Sequence, residues 1–275
     1  MGIVTFGLPV DLARELVSAG GLSAAVETGT YLGDSAIALR DLVPTVVSIE
    51  LLDELYQKAK RNVGNRDGIK LLQGYSPRLL PEVVGQLPGP TLFWLDAHGG
   101  TEGVPDLDAE FSECPLMDEL AAIAKFPLAD RSCIIIDDAR AFFGPMLQHT
   151  PSQWPTFSEV SDYLRAMGDR YVTVLDDVII AVPSDLQSSV NDWWRTKLSQ
   201  RHGYEALQER VQQLSDPSPL EASMRLARSL LPARLRNNVS LLLMRHGVKA
   251  PAARQNYLGS DQIIGDEQAK ASSRG

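Results

Sequence analysis

Glu27-Thr28-Gly29-Thr30-Tyr31-Leu32-Gly33-Asp34-Ser35 leaves one apolar run, Ala24–Glu27, and enters an amphipathic one, Asp34–Leu42. A strand that turns into a helix through glycines lets backbone approach a ligand without a Cβ clash. The helix that follows offers unpaired N–H groups at its first turn. A dinucleotide-binding turn would carry G-x-G-x-x-G at this place. The chain instead has E-x-G-x-x-x-G, with an acid at the strand end and one glycine fewer. An acid there suits a cationic ligand better than a pyrophosphate, and Glu27 could hold an amino group. The other reading of the same residues is a tight βα connection with no ligand.

Outward from this turn, short β-branched runs alternate with amphipathic stretches. Strands are expected at Ala24–Glu27, Thr45–Ile49, Ile69–Gln73, Thr91–Asp96 and Ser132–Asp137, and helices at Asp34–Leu42, Leu51–Val63 and Pro115–Phe126. Leu52, Leu55, Tyr56, Ala59 and Val63 fall on one helical face. Alternation of nearly continuous apolar strands with helices predicts an α/β fold: a doubly wound, mostly parallel sheet covered on both faces. Tyr171–Leu175 and Val178–Val182 flank Asp176-Asp177, which predicts a hairpin at one sheet edge. From Gln187 onward the pattern is helical, over Asn191–Leu214, Leu220–Leu231 and Asn237–His246, with a break at Asp216-Pro217-Ser218-Pro219. Residues 1–185 are therefore expected to form the ligand-binding domain, and residues 186–275 a helical C-terminal extension with a frayed tail.

Composition narrows the function. The 275 residues carry 35 Asp+Glu against 26 Lys+Arg, a net charge of −9, and this acidity argues against nucleic acid as partner. No apolar run approaches the ~20 residues that span a bilayer, and the N-terminus lacks a signal-peptide pattern, so no membrane is expected. Two cysteines, Cys114 and Cys133, make no disulfide framework, and a reduced cytoplasmic setting follows as the default. Small-molecule chemistry is left as the leading class.

Glu50 ends the second strand, about 20 residues past the glycine turn, where acids of nucleotide-binding α/β folds accept both ribose hydroxyls. Its alternative is an exposed acid favoured by the next helix dipole. Taken together, Glu27-x-Gly29-x-x-x-Gly33, Glu50, Gln73-Gly74-Tyr75-Ser76 and Leu95-Asp96 resemble the S-adenosylmethionine-dependent methyltransferases with a Rossmann-like fold. The turn after the third strand, continued by Leu79-Leu80-Pro81, is similar to that of macrocin-type O-methyltransferases, departing at Ser76, where that family favours an aromatic residue. The resemblance covers residues 20 to 185. It implies a seven-stranded sheet and a methyl transfer from S-adenosylmethionine to a hydroxyl. It places the cofactor against Glu27, Thr28, Gly29, Thr30, Tyr31, Gly33 and Ser35, with the ribose at Glu50, the adenine near Gly74, Tyr75 and Ser76, and Asp96 at the site's edge.

Asp96 and the pair Asp137-Asp138 each follow an apolar strand. Adjacent strands, as the family order implies, would bring three carboxylates together, and their repulsion would raise at least one pKa unless a cation neutralised them. Oxygen ligands suit Mg²⁺ or Mn²⁺. Asp96, Asp137 and Asp138 are thus the expected metal ligands, resembling the sites of macrocin-type sugar and catechol methyltransferases. The alternative is metal-free transfer, with the aspartates as polar strand ends. His98, two residues past Asp96, is the expected proton acceptor, with Asp96 next; it could instead be a loop histidine packed on substrate.

Gly99–Glu113 is expected to form a substrate loop. Asp106, Asp108, Glu110 and Glu113 lack the calcium-loop pattern and read as a solvated acidic stretch. Arg140, Phe142, Phe143 and Trp154 could line an acceptor pocket or belong to the core. Trp193-Trp194 reads first as packing on the sheet and second as a homodimer contact. The partner implied is a hydroxylated small molecule, a sugar or natural product with a vicinal diol or a catechol. A non-catalytic binding protein that kept the fold is the rival of another class.

Overall fold

The computed structural model describes residues 7–98, 111–144 and 150–215. Its centre is a seven-stranded sheet built from β1 (Ala24–Thr28), β2 (Thr45–Glu50), β3 (Ile69–Gln73), β4 (Thr91–Leu95), β5 (Cys133–Ile136), β6 (Arg170–Leu175) and β7 (Val178–Pro183). The spatial order is β3-β2-β1-β4-β5-β7-β6. The β3, β2, β1, β4 and β5 pairings are parallel, while β7 runs antiparallel to both β5 and β6. The expected doubly wound, mostly parallel sheet is what the chain forms.

Alternation along each strand divides the core into two halves. Val26, Ile49, Phe93, Leu95, Ile134, Ile136 and Ile179 face α4 (Ser76–Val84), α5 (Leu116–Ile123) and α6 (Phe157–Ala166). Ala25, Val46, Leu92, Trp94, Ile135 and Ile180 face α1 (Val10–Gly20), α2 (Asp34–Arg40) and the start of α7 (Gln187–Ser215). The seventh helix contributes Val190 and Trp193 to that second half, with Trp194 partly buried beside them. α3 (Asp53–Val63) buries Ala59 and Val63, the end of the stripe expected there.

The Asp176-Asp177 hairpin is present, with both residues at positive φ, 53° and 66°, as a tight two-residue turn matched to strand twist requires. Compact units divide after Tyr204, giving Met1–Tyr204 and Glu205–Gly275. The helices expected at Leu220–Leu231 and Asn237–His246, and the frayed tail, lie outside the described residues. Among the described residues no helix is long and apolar enough to cross a membrane.

The element boundaries differ from expectation where chain ends of strands meet the site. β4 stops at Leu95 and β5 at Ile136, leaving Asp96 and Asp137 just past the last strand residue. Three helices carry no counterpart in the sequence-based assignment: α1, α4 and α6. α4 contains Pro81 and has proline in its first turn, which interrupts helical reading without preventing the helix.

Candidate active site

The sheet order reverses between β1 and β4, and the loops beyond the carboxyl ends of these two strands form a crevice of the kind where open α/β sheets bind ligands. The loop after β1 is held from below. The amide of Gly29 donates to the Ile49 carbonyl at 2.9 Å, and that of Gly33 to Thr30 at 2.8 Å. Gly29 has φ 83°, and a Cβ there would lie 2.2 Å from the Asp96 carbonyl oxygen. Only glycine allows the two strand ends to approach so closely. Tyr31 has φ 50°, and its ring is 63 % exposed.

Both acids of the first motif are ordered by this loop. Glu50 accepts from the amides of Tyr31 and Leu52, each at 2.9 Å, so that its two oxygens are fixed at the end of β2. Glu27 is fully buried, and one oxygen accepts from the Ser48 hydroxyl, which also lies 2.6 Å from that of Thr30. The Ser35 hydroxyl is the second hydroxyl that reaches this carboxylate. Burial is the main force raising its pKa to about 7, against the lowering effect of the Ser35 and Ser48 hydroxyls and with a smaller push from Glu50.

The turn after β3 is anchored by the Gly74 amide, which donates to the Glu50 carbonyl at 2.8 Å. Ser76 donates to Glu119 on α5, and both side chains are buried. Burial raises the Glu119 pKa to about 7. This carboxylate was not singled out in the sequence, although a signal exists: Glu119 lies on the apolar stripe Leu116, Leu120, Ile123. Tyr75 packs its ring 4.9 Å from Phe111 and accepts from the Ser112 amide at 3.3 Å.

On the other side of the crevice, the Asp96 amide donates to the Thr28 carbonyl at 3.0 Å and the Asp137 amide to Leu95 at 3.1 Å. The three aspartates converge. Burial raises the Asp96 pKa to about 9, and Asp137 and Asp138 are the next contributors. Asp137 rises to about 6, again by burial. One ligand atom each of Asp96, His98 and Asp138 lies within 4.8 Å of the other two. This set differs from the expected one: Asp137 turns an oxygen onto the Asp138 amide at 2.8 Å, and His98 stands with the remaining pair. Asp138 also accepts from Arg140 at 2.7 Å, and the same guanidinium pairs with Asp177 of the hairpin turn.

His98 is 7 % exposed and sits edge-on between two aromatic rings, 5.4 Å from Phe142 and 5.6 Å from Trp154. Phe142 and Trp154 are therefore buried neighbours of the histidine, whereas Phe143 is exposed and stacks on Phe157 at 4.8 Å. Asp106, Asp108 and Glu110 lie outside the described residues. Glu113 is inside them and accepts hydrogen bonds from Thr150 and Trp154.

No family model matches the chain, and no curated protein matches it. Solved structures similar to it include a Staphylococcus aureus protein provisionally assigned as a caffeoyl-CoA O-methyltransferase, with 14% identity and a TM-score of 0.46 over 65% of this chain and 84% of that one. The S-adenosylhomocysteine-bound methyltransferase PaMTH1 of Podospora anserina has 18% identity and a TM-score of 0.43 over 64% and 79%. The O-methyltransferase TomG of Streptomyces achromogenes, in complex with S-adenosylmethionine, has 16% identity and a TM-score of 0.42 over 65% and 81%. Likenesses at this level decide neither cofactor nor acceptor.

Proposed function

We propose that the chain transfers a methyl group from S-adenosylmethionine to a hydroxyl oxygen of a small molecule. The observation that carries this is Glu27: a fully buried carboxylate that meets hydroxyls and no cationic side chain among its named partners, under a glycine loop whose backbone meets the opposite strand end. A buried carboxylate in that condition is costly unless a cation or donor reaches it. The α-ammonium of S-adenosylmethionine supplies both. Glu50, its two oxygens oriented by the Tyr31 and Leu52 amides, is placed to accept from a diol such as the cofactor ribose. Thr28, Gly29, Thr30, Tyr31, Gly33 and Ser35 would frame the methionine end, and Gly74, Tyr75 and Ser76 the adenine.

Methyl transfer forms a C–O bond as the C–S bond breaks, releasing S-adenosylhomocysteine, and the hydroxyl proton must go to a base. His98 takes this role, because its imidazole stands in the crevice beside Asp96 and imidazole is a side chain suited to general-base work. Asp96 stands beside it as a second candidate that would accept only once a cation restores its ionised form, since burial raises its pKa to about 9. Asp96 and Asp138 have the oxygen-donor chemistry for Mg²⁺ or Mn²⁺ and would leave the His98 imidazole for the proton, and Asp137 would support them through the Asp138 amide. When bound, such an ion would lower the pKa of a coordinated acceptor hydroxyl. Steric placement of the acceptor against the methyl is the larger share of the work.

One observation favours a second reading of the same site. The Arg140 guanidinium already neutralises Asp138 at 2.7 Å, which lessens the need for a metal and leaves Asp96 and His98 as an organic acid–base pair. Transfer of labelled methyl to a panel of sugar diols and catechols, before and after EDTA treatment and dialysis, separates the two. The metal reading expects loss of at least tenfold, restored by Mg²⁺ or Mn²⁺. Full activity in the chelated protein would leave the organic pair. A protein that binds S-adenosylmethionine and methylates no acceptor of either class would favour a binding role.

A further inference from the structure

Glu113 stands outside the cofactor and metal candidates, in the irregular segment that precedes α5, and joins several polar groups. Its carboxylate accepts from the Thr150 amide at 3.0 Å, from the Thr150 hydroxyl at 2.8 Å and from the Trp154 indole N–H at 3.3 Å. Its own amide donates to the Gln153 side chain at 2.7 Å. Thr150 to Trp154 form a single 3₁₀ turn with its flanks, so regular backbone pairing does little to hold them. The Glu113 side chain therefore supplies the fixed points.

Indole N–H is a donor only, and a buried tryptophan settles where that donor finds an acceptor. Trp154 is 8 % exposed, and its ring meets the His98 imidazole at 83° and the Phe142 ring at 51°. Phe142 meets His98 from a second side at 70°. Two rings thus flank the imidazole, and one of them donates its indole N–H to Glu113. Towards the cofactor turn, the same segment is tied to Tyr75 through Phe111 and Ser112.

We propose that Glu113 is a positioning residue, holding the Trp154 indole so that it fixes the orientation of His98. This rests on His98 being the proton acceptor of the methyl transfer proposed above. A base displaced by about 1 Å can lose two orders of magnitude in rate, so an acid with no contact to the reacting atoms acquires control over them. A merely structural clasp would instead join two loops and leave His98 where it is.

The test reads the position of the imidazole directly and needs no acceptor. The chain has four histidines. Carbon-labelled at Cε1, they give four proton–carbon signals, and His98 is assigned by the signal lost in His98→Gln. Held edge-on to two rings, His98 is expected to show a ring-current displacement in the wild type. Glu113→Ala should move that signal towards the position of free histidine and leave the other three in place, while Glu113→Gln, which keeps an acceptor oxygen, should retain most of the displacement. Glu113→Asp withdraws the carboxylate from the indole N–H, leaves the Trp154 ring unchanged and should move the signal in the same direction by less, so the question stays open to decision if the alanine variant fails to fold. An unmoved His98 signal in a folded Glu113→Ala or Glu113→Asp protein overturns the proposal. S-adenosylhomocysteine binding, measured by calorimetry on the same wild-type sample, judges the methyltransferase reading separately: absence of binding removes that reading, whatever His98 does.

Discussion

Replacing Gly29 with alanine would put a methyl group 2.2 Å from the Asp96 carbonyl, at a φ of 83° that a side chain resists. Backbone at both strand ends would have to shift, at a cost of roughly 1–3 kcal/mol. The expected result is a lower melting temperature and at least tenfold weaker S-adenosylhomocysteine binding by calorimetry; unchanged affinity would remove this loop from the site. Glu119 gives a prediction in pH. Its pKa rises from 4.5 unfolded to about 7 in the fold, chiefly by burial. The native state then holds a proton that the unfolded chain has released, so the stability from this group is complete below pH 4.5 and is lost as pH rises through about 7. Glu119→Gln has no proton to lose and keeps an acceptor for Ser76. Its melting temperature should exceed that of the wild type at pH 8 and converge with it near pH 5; parallel curves would contradict the assigned protonation.

Among elements, α6 offers the cleanest local test. Thr156 and Glu159 form a reciprocal capping box, with the Thr156 amide donating to the Glu159 carboxylate at 2.7 Å and the Glu159 amide to the Thr156 hydroxyl at 3.3 Å. Thr156→Ala should cost about 1 kcal/mol in denaturant unfolding, with S-adenosylhomocysteine affinity unchanged. The same element marks where sequence reading fell short. Thr156-x-x-Glu159 is a visible helix start, yet α6 was not among the expected helices, nor was α4, whose prolines mask its periodicity. Strands were far more legible. Buried on both faces, β1, β4 and β5 must be apolar at every position save the functional ends, and runs such as Ile134-Ile135-Ile136 follow directly. Glu27, Glu50, Asp96 and Asp137 were visible for the same reason, as acids terminating apolar runs. The roles of Glu113 and Glu119 depend on partners 37 to 43 residues away in sequence, which no local pattern encodes. Likewise, the exchange of Asp137 for His98 in the close set with Asp96 and Asp138 comes from a backbone amide claiming Asp137.

Across the whole molecule, the sheet order places two acidic groups of different character on either side of one crevice. Glu27 and Glu50 lie at the ends of β1 and β2, while Asp96, Asp137 and Asp138 lie past β4 and β5. Burial raises Glu27, Asp96 and Asp137 together, so the crevice resists full ionisation and favours cations that enter it. A sulfonium cofactor bearing an ammonium answers the first group, and a divalent ion or the Arg140 guanidinium the second. A dinucleotide, with its pyrophosphate, would bring negative charge to a loop that ends in Glu27. Isothermal titration of the wild-type chain with S-adenosylhomocysteine, and separately with NAD⁺, tests this most directly. The account predicts saturable one-site heat with S-adenosylhomocysteine, weakened at least tenfold in Gly29→Ala, and no heat with NAD⁺. Tight NAD⁺ binding with none for S-adenosylhomocysteine would contradict it.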